Sequence, residues 1–168
     1  MTVPDLIGPG LRLLLVGINP STRSGETGFH FANPTNRLWP VLHLSGWTPR
    51  RLLPSETAEL LACGIGITNF VRRATARASD LSPDEIRAGL PAVEALAAQW
   101  RPAGVAFLGL GAYRVATGER SAAVGALVRS VGGRPAWLLP NPSGLNAAWQ
   151  LDALVAAYRA PLTALAEL

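Results

Sequence analysis

The stretch Leu11 to Ser21, LRLLLVGINPS, decides the fold. Its first seven residues are short, nearly all apolar, and closed by Gly17 and an Asn-Pro turn signal. That is the pattern of a strand buried on both faces. Three further runs repeat it. Val105 to Leu108 (VAFL) leads into Gly109-Leu-Gly111, Ala136 to Leu139 (AWLL) stops at Pro140-Asn141-Pro142, and the weaker Gly64 to Thr68 (GIGIT) stops before Asn69.

Helix-period segments lie between these strands: Asn36 to Leu44, Ser55 to Ala62, Pro83 to Trp100, Tyr113 to Thr117, and Ala148 to about Leu165. The one at Pro83 opens with Ser82-Pro-Asp-Glu85, a capping box with proline at the first helical position and acid at the positive end of the dipole. Strands alternating with helices require right-handed crossovers. The expectation is a three-layer α/β/α domain with a central, mainly parallel sheet of four to five strands, and a single domain over residues 1–168.

Composition narrows the function classes. The 168 residues are 49% hydrophobic and 15% charged, enough for one buried core and short for two. Formal charge is +4, and all 15 basic residues are arginine, which permits a polyanionic partner without demanding one. Cys63 is the only cysteine, so no internal disulfide can form, and with His30 and His43 it cannot complete a zinc site. No metal or cofactor is expected. The apolar run Leu13 to Ile18 is too short to span a membrane and ends in Asn-Pro rather than a cleavage site, so a cytosolic, monomeric protein is expected.

In an open parallel sheet, ligands sit beyond the carboxyl ends of the strands. Two unusual loops fall there. The first runs Gly17-Ile-Asn-Pro-Ser21, continues through Gly25-Glu-Thr-Gly-Phe-His-Phe31 and ends at Asn33-Pro-Thr-Asn36; the second is Asn141-Pro-Ser-Gly-Leu-Asn146. Both carry Asn-Pro-Ser directly after a buried strand, and two matched loops at one sheet edge point to a site rather than to turns alone. Asn69 also follows a strand end, and His30 lies within the first loop. Gly109-Leu-Gly111 lacks the third glycine and the distant acid of a dinucleotide fingerprint and reads as a tight strand-to-helix turn.

The motifs GINPS, GFHFANPTNRLW and LPNPSGL resemble those of the mismatch-specific uracil and thymine DNA glycosylases of the uracil-DNA glycosylase superfamily, over about Leu11 to Tyr158. Within that superfamily the most active uracil enzymes carry Asp where this chain has Asn19, and His where it has Asn141, so the pairing points to the mismatch-specific branch. The single-strand-selective branch has His-Pro-Ser in the second motif, and the iron–sulfur branch needs four cysteines. The resemblance implies that Asn19 holds the attacking water, that Phe31 stacks on a flipped base, and that groups around Gly17, Ile18, Phe31, Asn69 and Asn141 bind the base. It further implies that the loop of Ser143, Gly144, Leu145 and Asn146 enters DNA with Leu145 as the wedge. The implied partner is double-stranded DNA containing uracil or a G:U or G:T mismatch. No Arg follows Asn146, as it does in some bacterial members.

The chemistry agrees. Hydrolysis of an N-glycosidic bond passes through an oxocarbenium-like sugar and a departing base that carries negative charge, so water must be positioned and donors placed around the pyrimidine oxygens. A neutral Asn19 amide orients water but cannot take its proton. With no lysine, no side chain can form a Schiff base, and a monofunctional enzyme is expected. Arg72, Arg73 and Arg77 are candidate phosphate contacts, with a solvated surface as the alternative. Asp80 precedes a helix already capped by Ser82, and is a candidate general base, with a solvated or Arg-paired carboxylate as the alternative. Core packing remains the alternative for Phe31, as does a hydrophobic staple for Leu145. Two other function classes stay open: a non-catalytic DNA-damage binding module, and a dinucleotide-binding enzyme built around Gly109 to Gly111.

Overall fold

In the computed structural model, which describes residues 1–168, β1 (Leu13–Gly17) is buried along its whole length and sends alternate side chains into two separate cores. Leu13 and Leu15 join Trp39, Leu42, Trp47, Leu154 and Tyr158 on one face. Leu14 and Val16 join Leu90, Phe107 and Tyr113 on the other. A strand covered on both sides has no polar face to alternate with, which is why its sequence reads as an unbroken apolar run. Truncating any of these leucines to alanine would cost roughly 2–5 kcal/mol.

Around β1 lie β2 (Ile65–Asn69), β3 (Gly104–Leu108), β4 (Gly125–Ala126) and β5 (Ala136–Leu139), in the order β2-β1-β3-β5-β4. All pairings are parallel except that of β4, which runs antiparallel on the outer side of β5. The helices are α1 (Thr22–Thr27), α2 (Leu38–Leu44), α3 (Thr57–Ala62), α4 (Pro83–Trp100), α5 (Leu110–Thr117) and α6 (Leu151–Ala166). The α2 and α6 residues pack in the first core, and those of α4 and α5 in the second, which gives the three layers.

The capping box of α4 is made as its sequence specifies: Glu85 N donates to Ser82 Oγ (3.2 Å), and Ser82 N to Glu85 Oε2 (2.8 Å). Midway along this helix an ideal Cβ on Gly89 would collide with the carbonyl of Phe70, so only glycine lets α4 pass so close to the end of β2.

Several boundaries differ from the sequence reading: α3 starts at Thr57 rather than Ser55, and β1 at Leu13 rather than Leu11. Helix α5 starts at Leu110 rather than Tyr113, because Gly109 (φ +126°) turns the chain directly from β3 into it. Helix α6 starts at Leu151 rather than Ala148, because the preceding residues form turns whose carbonyls are engaged by Arg37. Helix α2 starts at Leu38, two residues after the first predicted position. Neither β4, only two residues long, nor α1, whose TRSGET sequence buries only Ser24, carries a hydrophobic period by which it could be recognised.

Candidate active site

The carboxyl ends of β1, β2, β3 and β5 open into a cavity of about 680 Å³. Both Asn-Pro-Ser loops reach it, and its wall includes Gly17, Ile18, Asn19, Phe31, Asn69 and Asn141. Because β3 lies between β1 and β5, Asn19 and Asn141 flank the end of β3. Gly109 occupies that end: a Cβ there would stand 3.5 Å from Ile18 Cδ1 and 3.8 Å from Asn141 Nδ2. Gly109 and Gly111 thus serve the floor of the same cavity.

The orientation of the Asn19 amide follows from its partners. Its Nδ2 donates to the Arg73 carbonyl (3.0 Å), which can only accept, and to Thr75 Oγ1 (2.8 Å). The Thr75 hydroxyl spends its own hydrogen on the Arg77 carbonyl (2.7 Å). Both amide hydrogens are therefore committed, and Oδ1 is left as an unpaired, solvent-accessible acceptor on a cavity-lining residue.

Asn141 has the opposite polarity. Its Oδ1 accepts from Ser143 N (2.9 Å), an Asx turn that fixes the amide and leaves Nδ2 as the unpaired donor. One cavity therefore holds a fixed acceptor and a fixed donor, each oriented by the chain before any ligand arrives.

Phe31 adopts a left-handed backbone (φ +50°), a conformation that costs a non-glycine residue of order 1–3 kcal/mol. The indole of Trp39 holds it there by donating to the Phe31 carbonyl (3.0 Å). A Cβ on Gly17 would stand 3.3 Å from Phe31 Cζ and would overlap Asn69 Oδ1, so glycine at the end of β1 is what lets the aromatic ring and the amide close on it.

His30 lines the cavity beside Asn69. Its Nε2 is 2.7 Å from the Pro4 carbonyl, so Nε2 carries the hydrogen and Nδ1 presents a lone pair to Asn69 Nδ2 at 3.5 Å. Burial holds the imidazole pKa below its ordinary value and favours this neutral tautomer.

The second loop is shaped by its own side chains. Leu145 N donates to Ser143 Oγ (3.2 Å), and Asn146 Nδ2 to the Asn141 carbonyl (2.9 Å). Gly144 lies over the first loop, where a Cβ would meet the Thr35 carbonyl at 2.7 Å. Leu145 is 90% exposed, so it does not staple α6.

The three candidate phosphate contacts separate. Arg77 lines the cavity. Arg72 instead pairs with Asp5 (2.8 Å), and Arg73 pairs with Glu85 through two hydrogen bonds (2.6 and 3.0 Å) that draw the Glu85 carboxyl down to about 2. Asp80 does not line the cavity. It is exposed, sits in a short 3-10 turn (Ala78–Asp80), and accepts from Arg77 N (3.0 Å).

Two residues that no local pattern singles out hold the site residues in place. Thr75 fixes Asn19, yet stands as a lone hydroxyl in an Arg- and Ala-rich loop. Arg37 donates to three carbonyls of the second loop region, Ser143, Asn146 and Trp149, from more than 100 positions away. His30 was visible only as part of the Phe-His-Phe segment.

Comparison with known proteins bears on the family and the fold. The family described as the uracil DNA glycosylase superfamily matches residues 4–163. The solution structure of a candidate uracil DNA glycosylase from Methanosarcina acetivorans is similar in fold, with a TM-score of 0.61 over 96% of this chain and 97% of that one, at 16% sequence identity.

Proposed function

This chain belongs to the uracil DNA glycosylase superfamily, and from that premise we propose that it is a monofunctional DNA-repair glycosylase of the mismatch-specific kind, which flips uracil, and mispaired thymine as a second substrate, out of double-stranded DNA and leaves an abasic site. The observation that carries this reading is the paired polarity of Asn19 and Asn141 at one cavity.

In the proposed mechanism the flipped pyrimidine rests against Phe31, and Asn141 Nδ2 donates to a carbonyl oxygen of the base. As the bond between C1′ and the pyrimidine N1 breaks, its electron pair moves onto the base, and a donor already in place needs no reorganisation to stabilise that charge. Asn19 Oδ1 accepts a hydrogen bond from a water and aims its oxygen at C1′. The water adds to the oxocarbenium-like sugar and releases its proton to solvent. A neutral amide aligns the nucleophile without deprotonating it, which supports a slower enzyme than one with a carboxylate at this position.

Asp80 was a candidate for the missing base. Its carboxylate caps the Arg77 amide and stands outside the cavity wall, so the proposal gives proton acceptance to solvent and the alignment of water to Asn19.

Single-turnover base release from matched oligonucleotides tests the substrate assignment. Uracil opposite guanine, uracil opposite adenine, thymine opposite guanine and uracil in a single strand form the panel. Faster release opposite guanine supports the mismatch-specific reading. Equal release in every context refutes the mismatch preference, and tight mismatch binding without release leaves a binding module.

A further inference from the structure

Arg37 stands immediately before α2, in the segment Asn36-Arg-Leu-Trp39, yet every hydrogen bond that it donates goes to the loop that follows β5. Nη1 donates to the Trp149 carbonyl (2.6 Å), and Nη2 to the carbonyls of Ser143 (2.9 Å) and Asn146 (3.0 Å). Its backbone N–H adds a fourth bond, to the Pro142 carbonyl (3.0 Å). A guanidinium suits this task because its donors leave a rigid plane in fixed directions, whereas an ammonium is a point charge on a flexible stem. Arg37 Nε is a buried side-chain nitrogen without a partner, so the fold keeps the clamp in place despite an unsatisfied donor.

At its ends the loop is tied to the body by the Tyr158 hydroxyl, which donates to the Pro140 carbonyl (2.7 Å), and by Trp149, which packs against the first core. Its Asx turn and the Ser143 hydroxyl bond give it a shape, but these contacts are internal. The side chain at its tip, Leu145, is 90% exposed and gains no order from packing. Between those ends, its contacts with the body are those of Arg37 and the close approach of Gly144 to Thr35.

We infer that Arg37 is a positioning residue for base flipping: by gripping the Ser143, Asn146 and Trp149 carbonyls it holds the Leu145 loop in the conformation that enters the duplex. The inference rests on the glycosylase reading above. Ordering the loop during folding removes that cost from the DNA-binding step, where a loosely held wedge would have to be ordered at each encounter. A purely structural clamp would affect stability alone. A positioning clamp acts where a base must be extruded from its pair, and has less effect where the base is already unpaired.

The test uses wild type, Arg37→Met, Arg37→Lys, Leu145→Ala and the double variant Arg37→Met/Leu145→Ala. Two substrates carry the same uracil, opposite guanine in a duplex and opposite an abasic-site analogue where it has no partner. A fluorescent 2-aminopurine beside the uracil reports extrusion. Both Arg37 variants are expected to slow release from the paired substrate by about 10- to 100-fold. They should lower the extrusion signal and slow the unpaired substrate at least about fivefold less than the paired one, and Arg37→Met should add little in the Leu145→Ala background, since both act through one wedge. If Arg37→Met does not fold, as judged by circular dichroism, Arg37→Lys carries the test. Equal losses on both substrates, or a full additional loss in the Leu145→Ala background, overturn the inference. Absence of release by the wild type from either substrate instead refutes the glycosylase reading, and this inference falls with it.

Discussion

The Asn19 amide donates to the Thr75 hydroxyl across 2.8 Å, and that hydroxyl passes its own hydrogen to the Arg77 carbonyl. This relay, together with the bond to the Arg73 carbonyl, fixes which end of the amide is free. Replacing Thr75 with valine keeps the volume and removes one anchor. Single-turnover uracil release should fall about tenfold, with a stability loss of roughly 1 kcal/mol measured by urea denaturation. Unchanged release would show that the Arg73 carbonyl alone orients Asn19.

Asp80 offers a sharp contrast. Its carboxylate caps the Arg77 amide and stands outside the cavity wall. Asp80→Asn should leave single-turnover release within about threefold of wild type, since loss of a general base typically costs 10²–10⁴-fold. A fall in that larger range, with DNA binding intact, would restore Asp80 as the base.

Leu145 is free of packing, and its truncation should separate stability from function. Leu145→Ala is expected to change unfolding free energy by less than about 0.5 kcal/mol, as surface substitutions do. Release from the paired substrate should nevertheless drop, because extruding a base costs a few kcal/mol that the wedge helps to offset. Chemical denaturation and single-turnover kinetics on one preparation decide this.

Arg77 and Arg73 should differ in their response to salt. Arg77 lines the cavity, whereas Arg73 is engaged by Glu85. For Arg77→Ala the slope of log affinity against log salt should fall in magnitude by about 1, the signature of one lost phosphate contact. The slope for Arg73→Ala should remain near that of wild type. Binding titrations between low and moderate salt measure both.

His30 imposes a pH dependence whose sign follows from its burial. The folded protein disfavours the imidazolium, so the unfolded chain binds more protons between the lowered folded pKa and the ordinary imidazole value of 6.5. This contribution is fully present above that upper value and is lost as pH falls through the folded pKa. Thermal unfolding from pH 7.5 downward should show the loss, and it should shrink in His30→Gln.

How much of this was legible in the sequence depended on how local each cause was. Strands β1, β3 and β5 were readable because burial on both faces leaves unbroken apolar runs, and α4 because its capping box is written in four consecutive residues. Asn19 and Asn141 stood out as Asn-Pro-Ser after strand ends. Thr75 and Arg37 did not, since their partners lie 56 and 106 positions away, and no local pattern records such a bond. Asp80 looked anomalous because the following helix already had a cap; the structure gives it a different turn to close.

The most direct measurement follows a duplex with one uracil opposite guanine under single-turnover conditions, using wild type and Asn19→Ala and assaying free base and strand integrity together. The expected result is free uracil with an intact, alkali-sensitive strand, and a rate that falls by about 10²–10³-fold in Asn19→Ala while binding persists. No base release, strand cleavage without alkali, or equal rates in the two proteins would contradict a water-using glycosylase built around Asn19.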